Sequence, residues 1–294
     1  MIHPPTRQLA PLHRVAVVGG GTMGLGIAYV SAVAGLETWI VEVSAERRSA
    51  VTQELTRALG VGQERGRLTE EEAEAAGARI TLVQSVVDIP TGLDVVVESV
   101  PERKDLKRQV LAAALERDPV VLATNTSSMS VDDLAGSLSD ATRLLGLHFF
   151  NPVWSIGLVE VVRGAHTDPA VLSHALRYVD ALQKQSAVVA DTPGFATTRL
   201  DLITSLEAMR MVEQGVGSAA DIDRAVQIAY RHPVGPLRLS DIVGLDVRLD
   251  IARQLERALG ASFKPPQVLE DLVSLGHLGR KCGQGFYTWE AATS

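Results

Sequence analysis

The stretch RVAVVGGGTMGLGIA, residues 14–28, limits the folds open to this chain more than any other. An apolar, β-branched run leads straight into a glycine-rich turn, and the turn opens an apolar helix. Gly19, Gly21 and Gly24 stand in the order G-x-G-x-x-G, with Thr22 and Met23 between the last two. In that setting the first glycine permits a tight turn and the second lets the backbone approach a pyrophosphate. The third lets helix and strand pack closely, and the helix N-terminus attracts the phosphate charge. Glu42 ends the next strand-like run, at about the 20-residue spacing where a carboxylate accepts hydrogen bonds from ribose hydroxyls. A carboxylate there repels a 2′-phosphate, so NAD is expected over NADP, with Arg47 and Arg48 one helical turn later opposing that preference weakly. The bland alternative is a glycine-rich turn followed by an ordinary surface glutamate.

The pattern continues beyond the motif. ETWIVEV, ITLV, LDVVVES, VVLATN, RLLGLHFF and LVEVV alternate with helical periodicity up to about Val189, which predicts a parallel sheet covered by helices. Val51, Leu55 and Leu59 recur at helical spacing, and Thr69 with Glu72 forms a capping-box pattern. After Asp191 the character changes. Pro193 and Gly194 interrupt the chain, and helical segments follow at about 195–214, 219–230, 237–259 and 266–275. Gly215, Gly235 and Gly260 lie near their ends and Ser218 is placed to cap one of them. The expected fold is α/β, a Rossmann-type, mostly parallel sheet over residues 1–191, then an all-α domain over 192–294.

Composition narrows the partners. With 294 residues, 46% hydrophobic and 21% charged, the chain reads as globular, and its formal charge of −7 argues against nucleic acid, which needs a concentrated basic surface. No run of about 18 apolar residues suggests a membrane span, and no signal-like stretch precedes Arg14. The single cysteine, Cys282, excludes an internal disulfide and points to a reducing, cytoplasmic setting. No metal-ligand cluster is evident.

Oxidising an alcohol requires a group that takes the hydroxyl proton as hydride leaves, and histidine suits neutral pH. Of seven histidines, His148 lies in LGLHFFNP at a strand end, where ligands of α/β sheets sit. Glu160, twelve residues on, stands in the apolar run GLVEVVRG, where an acid is out of place unless paired. If the two strands are neighbours, Glu160 reaches one imidazole nitrogen and the other faces substrate. The same spacing also fits a strand-end histidine and a carboxylate held by the nearest arginine. Ser127 and Ser128, in LATNTSS, offer hydroxyls for a substrate oxygen or simply a turn, while Ser130 reads as the cap of the next helix. His3, His13, His166, His174, His232 and His277 have no comparable acid partner.

GGGTMGLGIA, VVVESVPE, ATNTSS, GLHFFNPV, LVEVV, DTPGF, HPVGP and LGRKCGQGFY occur in the order found in 3-hydroxyacyl-CoA dehydrogenases, and the chain resembles that family from about Arg14 to Trp289. The resemblance implies that His148 is the catalytic base, Glu160 its orienting carboxylate and Ser127 a hydroxyl on the substrate oxygen. It places Glu102 and Lys107 near the nicotinamide ribose and phosphates, and Asn125 and Asn151 around the nicotinamide and catalytic pocket. It further implies a homodimer through the helical domain and an acyl thioester substrate, carried by CoA or an acyl-carrier protein. Arg65 and Arg67 are then candidates for the CoA phosphates, or solvated surface charges.

Three positions depart from the family pattern. Thr198 stands where an asparagine usually helps hold the substrate, Trp154 replaces a proline, and Gly157 replaces a lysine. Trp154 is expected to narrow the acyl pocket or to pack between domains. An aromatic there also resembles gulonate and carnitine dehydrogenases, whose substrates are not thioesters, although HFFNP and GRKCGQGFY follow the acyl-CoA type. The remaining alternative is a binding protein that kept fold and cofactor without turnover.

Overall fold

The computed structural model describes residues 12–290. His3 and most of the stretch before Arg14 lie outside the described residues. The chain divides into two compact units, with the boundary between Asp191 and Thr192.

The first unit is built on one eight-stranded sheet. Its strands are β1 (Arg14–Val18), β2 (Glu37–Val41), β3 (Ile80–Val83), β4 (Val95–Glu98), β5 (Val121–Thr124), β6 (Leu144–Phe149), β7 (Leu158–Arg163) and β8 (Gln185–Ala190). The order across the sheet is β3-β2-β1-β4-β5-β6-β7-β8. Every pairing is parallel except β6 with β7. β1 is the switch point: successive strands run outward from it one way through β2 and β3, then the other way from β4. Ligands of α/β sheets settle outside the strand ends at that place. The register brings the ends together, since Val18 stands opposite both Val41 and Glu98, and Glu98 opposite Thr124.

Val95, Val96 and Val97 of β4 are fully buried, as are Val121, Leu122 and Ala123 of β5. A parallel strand covered on both faces needs such a continuous apolar run, which is why these segments do not alternate. The helices of this unit are α1 (Thr22–Val33), α2 (Ala45–Glu64), α3 (Glu70–Ala78), α4 (Lys104–Leu115), α5 (Val131–Ala135) and α6 (Pro169–Ala181). Thr69 and Glu72 form the reciprocal capping box of α3, and Ser130 caps α5 by accepting from the backbone N–H of Asp133.

The second unit is helical: α7 (Thr197–Glu213), α8 (Ala219–Tyr230), α9 (Pro236–Val243), α10 (Leu245–Leu259) and α11 (Gln267–Ser274). Leu202, Leu206, Met209, Leu237, Leu249 and Leu255 form its core. Two expectations need correction. QSAVVA, residues 185–190, forms the edge strand β8, and the span 237–259 is two helices rather than one. Gly244, at φ +109°, breaks it in a backbone conformation that a side chain rarely allows.

Candidate active site

The dinucleotide motif folds as a turn between β1 and α1. Gly19 takes φ +114°, and a β-carbon there would stand 2.5 Å from the Ser99 carbonyl oxygen. A β-carbon on Gly24 would run into the carbonyl of Gly19, so helix and strand approach as closely as they do only because both positions are bare. Gly21, the N-cap of α1, offers no capping side chain, and the first turn of the helix carries no acid of its own. Glu42 lies just past β2. Its Oε2 accepts from Gly20 N at 3.1 Å and its Oε1 from Ser44 N at 3.0 Å, fixing a carboxylate beside the turn. Arg47 is occupied, its guanidinium forked onto Glu54 and donating to the Gly20 carbonyl.

A cleft of about 860 Å³ runs along these strand ends. Gly19, Gly21, Thr22, Met23 and Glu42 line one part of it, and Glu102, Asn125, Ser127 and His148 another. His148 and Glu160 are direct cross-strand partners in the antiparallel β6–β7 pair. His148 Nδ1 lies 2.9 Å from Glu160 Oε2, and Glu160 is fully buried. The pair therefore arises from register: a loop of the right length folds β7 back so that the acid lands opposite the imidazole. Asn125 follows β5 and its Oδ1 accepts from Phe149 N at 2.9 Å, tying the two strand ends beside His148. Ser127 is exposed in the turn that follows, with its backbone N–H on Glu102 Oε1 at 3.3 Å.

Lys107, expected with Glu102 near the nicotinamide ribose and phosphates, stands behind Glu102. Its side chain is 1% exposed and does not line the cleft. The ammonium sits on both oxygens of Glu98, at 2.9 and 3.1 Å, and on Glu102 Oε2 at 3.0 Å. Glu98 is the residue that sequence reasoning passed over. It is fully buried at the end of β4 and also accepts from Val100 N at 2.7 Å and Thr124 Oγ1 at 2.7 Å. The signal was present, because an acid closing the apolar run VVVE calls for a partner as much as the one in LVEVV does.

Two further candidates of the first unit, Asn151 and Trp154, do not line this cleft. Asn151 is exposed at the head of the β6–β7 loop, joined to Pro152 by a cis peptide, and does not line it. Trp154 packs edge-on against Tyr29, with ring centroids 5.9 Å apart. Both line a second cavity of about 690 Å³, whose wall also carries Arg57, Arg65, Arg67 and Lys184. Thr22 borders both cavities. Burial raises the Tyr29 phenol above its ordinary value, with the Arg67 charge opposing. Lys184 Nζ donates to the Val153 and Ile156 carbonyls, each at 2.6 Å, and burial pushes that amine down. A cation thus braces the same loop in which Gly157 leaves one out. Thr198 belongs to the second unit, in the first turn of α7. Among the described residues no group of three or more His, Cys, Asp or Glu is arranged to hold a metal, and no helix is long and apolar enough to cross a membrane.

Residues 14–192 match the family model for the 3-hydroxyacyl-CoA dehydrogenase NAD binding domain, and residues 194–289 match its C-terminal domain. A 3-hydroxybutyryl-CoA dehydrogenase of Mycobacterium tuberculosis is 38% identical, the match covering 95% of this chain and 99% of that protein. Another of the same name, from Bradyrhizobium diazoefficiens, is 36% identical over 96% of this chain and 97% of its own length. The crystal structure of (S)-3-hydroxybutyryl-CoA dehydrogenase from Ralstonia eutropha superposes with a TM-score of 0.91 at 33% identity, covering 96% of this chain and all of that one. Both halves of the chain, each with its own fold, are accounted for by one set of relatives, and the chain belongs to the 3-hydroxyacyl-CoA dehydrogenase family, oxidoreductases acting on a CH–OH group.

Proposed function

We propose that this protein catalyses the reversible, NAD-dependent oxidation of short-chain (S)-3-hydroxyacyl-CoA to 3-oxoacyl-CoA. The observation that carries the reading is the His148–Glu160 pair, whose imidazole lines the same cleft as the glycine turn and Glu42. The cleft fits NAD: the bare turn admits a pyrophosphate, the start of α1 favours its charge, and Glu42 suits ribose hydroxyls and disfavours a 2′-phosphate. NAD, when bound, supplies the hydride acceptor.

The protein's own groups handle the proton and the substrate oxygen. Glu160 holds Nδ1, so Nε2 is the nitrogen that takes the hydroxyl proton, and the carboxylate stabilises the imidazolium that results. Ser127 Oγ steadies the same oxygen as it becomes a carbonyl. The reverse reduction uses the same two groups. Glu102 and Asn125 border the nicotinamide end, and Asn151, in the loop that follows His148, contributes to the substrate side.

CoA is favoured over a carrier protein by the second cavity, whose lining includes the Tyr29–Trp154 aromatic pair together with Arg57, Arg65 and Arg67. Such a lining suits a phosphorylated purine nucleotide. The (S) configuration and short chain follow the named relatives. A homodimer through the helical unit, in the cytoplasm, completes the reading.

The test is NADH absorbance with 3-hydroxybutyryl-CoA and with its acyl-carrier counterpart. His148→Gln is expected to keep NAD binding and lose about a hundredfold or more in turnover. Near-normal turnover in that variant removes the assignment. NADH binding without turnover on any chain length would instead mark a binding protein.

A further inference from the structure

We infer that Glu98 is a positioning residue: through Lys107 and Glu102 it holds the turn that carries Ser127. The importance of that turn for catalysis rests on the function proposed above, but the anchoring itself does not.

The geometry forms a directed chain. Glu98 is fully buried and its carboxylate is saturated, accepting from Val100 N, Thr124 Oγ1 and, with both oxygens, Lys107 Nζ. It has no freedom to move, and the ammonium it grips has little. Lys107 Nζ also donates to the Val100 carbonyl at 3.3 Å, which leaves its remaining contact, Glu102 Oε2 at 3.0 Å, as the one that faces a partly exposed partner. Glu102 is 39% exposed, and its only ion pair among the described residues is this one. The other oxygen of Glu102 accepts from Thr126 Oγ1, from Ser127 N at 3.3 Å and from Ser128 Oγ at 3.4 Å. Thr126 Oγ1 in turn accepts from Ser128 N at 3.3 Å and Met129 N at 3.0 Å.

Three backbone N–H groups in succession, those of residues 127, 128 and 129, therefore depend on one carboxylate, either directly or through Thr126. A half-exposed glutamate left to itself samples several rotamers and pays entropy to stay in one. Here a buried cation pins one of its oxygens, and that cation is pinned by Glu98. Removing the charge at 98 leaves Lys107 with one anion instead of two, so the ammonium shifts toward Glu102 and the turn loses its fixed reference. The competing account is that Glu98 and Lys107 merely staple α4 to β4. A staple would affect stability and leave the turn's own amides no more open than the rest of the unit.

The experiment compares wild type with Glu98→Gln, an isosteric change that keeps an acceptor for Val100 N. Amide hydrogen exchange by mass spectrometry is read on peptides covering 126–129 and, as control, 158–163. Exchange in the first is expected to quicken about tenfold, the scale of one charge-assisted hydrogen bond lost, with the second unchanged. The kinetic readout is a cycle with Ser127→Ala. Glu98→Gln should lower kcat about tenfold with serine present and add little in the alanine background.

Unchanged exchange at 126–129, or equal acceleration in both peptides, overturns the inference. So does a loss of kcat that multiplies fully with that of Ser127→Ala. If Glu98→Gln does not fold, Glu102→Ala at a partly exposed site carries the same exchange prediction, and its failure has the same meaning. Faster exchange at the turn alongside a Ser127→Ala variant of normal turnover would leave the anchoring intact and remove the serine from the mechanism.

Discussion

Replacing Glu160 with glutamine tests the catalytic reading where it is most exposed. The carboxylate is fully buried, lies 2.9 Å from His148 Nδ1, and sits directly opposite it in the β6–β7 register. Its contribution grows as the imidazole becomes a cation, so it is worth more in the transition state than in the resting enzyme. A hydrogen bond to a charged group contributes about 1.5–3 kcal/mol, and each 1.36 kcal/mol is about tenfold in rate, so kcat should fall by about 10- to 150-fold. The amide fails in either orientation. With its oxygen on Nδ1–H it keeps the tautomer without neutralising the cation; with its NH₂ on Nδ1 it leaves the proton on Nε2, which then cannot accept the substrate's. The assay is initial-rate NADH absorbance over a range of substrate concentrations in both directions, with NAD affinity measured separately and expected unchanged. Because the variant cannot alter the reaction's equilibrium, kcat/KM should drop by the same factor forwards and backwards. A kcat within about threefold of wild type, in a variant that folds and binds NAD, would refute the claim that the pair acts as a unit.

Other outcomes follow from residues away from that pair. Joint replacement of Arg65 and Arg67 by alanine should raise KM for the acyl-CoA about tenfold, more at low salt, and leave KM for NAD and for a pantetheine-only thioester unchanged; equal effects on both thioesters would place the nucleotide elsewhere. Burial holds the His174 imidazole below its ordinary value, with Asp94 opposing. The unfolded chain thus binds that proton more readily, and the stability involved is present above the ordinary histidine value near about 6.5 and lost as pH falls toward the folded one. Thermal midpoints of wild type and His174→Gln should therefore converge between neutral and mildly acid pH, and divergence would contradict the sign. Arg248 is 2% exposed, paired with Asp201, and its Nε and Nη2 have no partners among the described residues, whereas Asp201 is 35% exposed and keeps its water if left alone. Arg248→Met should change stability by no more than about 1 kcal/mol in denaturant titration, and a loss above about 3 kcal/mol would show the pair to be strongly favourable.

What could be read in the sequence was what is written within a few neighbouring residues. The glycine turn, the capping box at Thr69 and Glu72, and the caps at Ser130 and Ser218 each need only a short window, and the buried strands announced themselves as unbroken β-branched runs. β8 was missed because it is an edge strand with alternate residues exposed, so QSAVVA lacks the continuous apolar run that marked its neighbours. The break at Gly244 was hidden because apolar spacing stays helical on both sides of it, and only the backbone angle betrays the turn. His148 and Glu160 were legible as a pair because both sit in strands joined by a short loop, which leaves few registers. Glu98 was not, although it is just as much an acid in an apolar run. Its partner lies on a helix, where a lysine ordinarily reaches water or a phosphate, and nothing in VPERKDLK says that this one turns inward. A buried acid announces that a partner exists; only the fold says which. The same division explains Trp154: its size was plain, but its seat against Tyr29, on a cavity lined by arginines, depends on a helix that begins more than a hundred residues earlier in the chain.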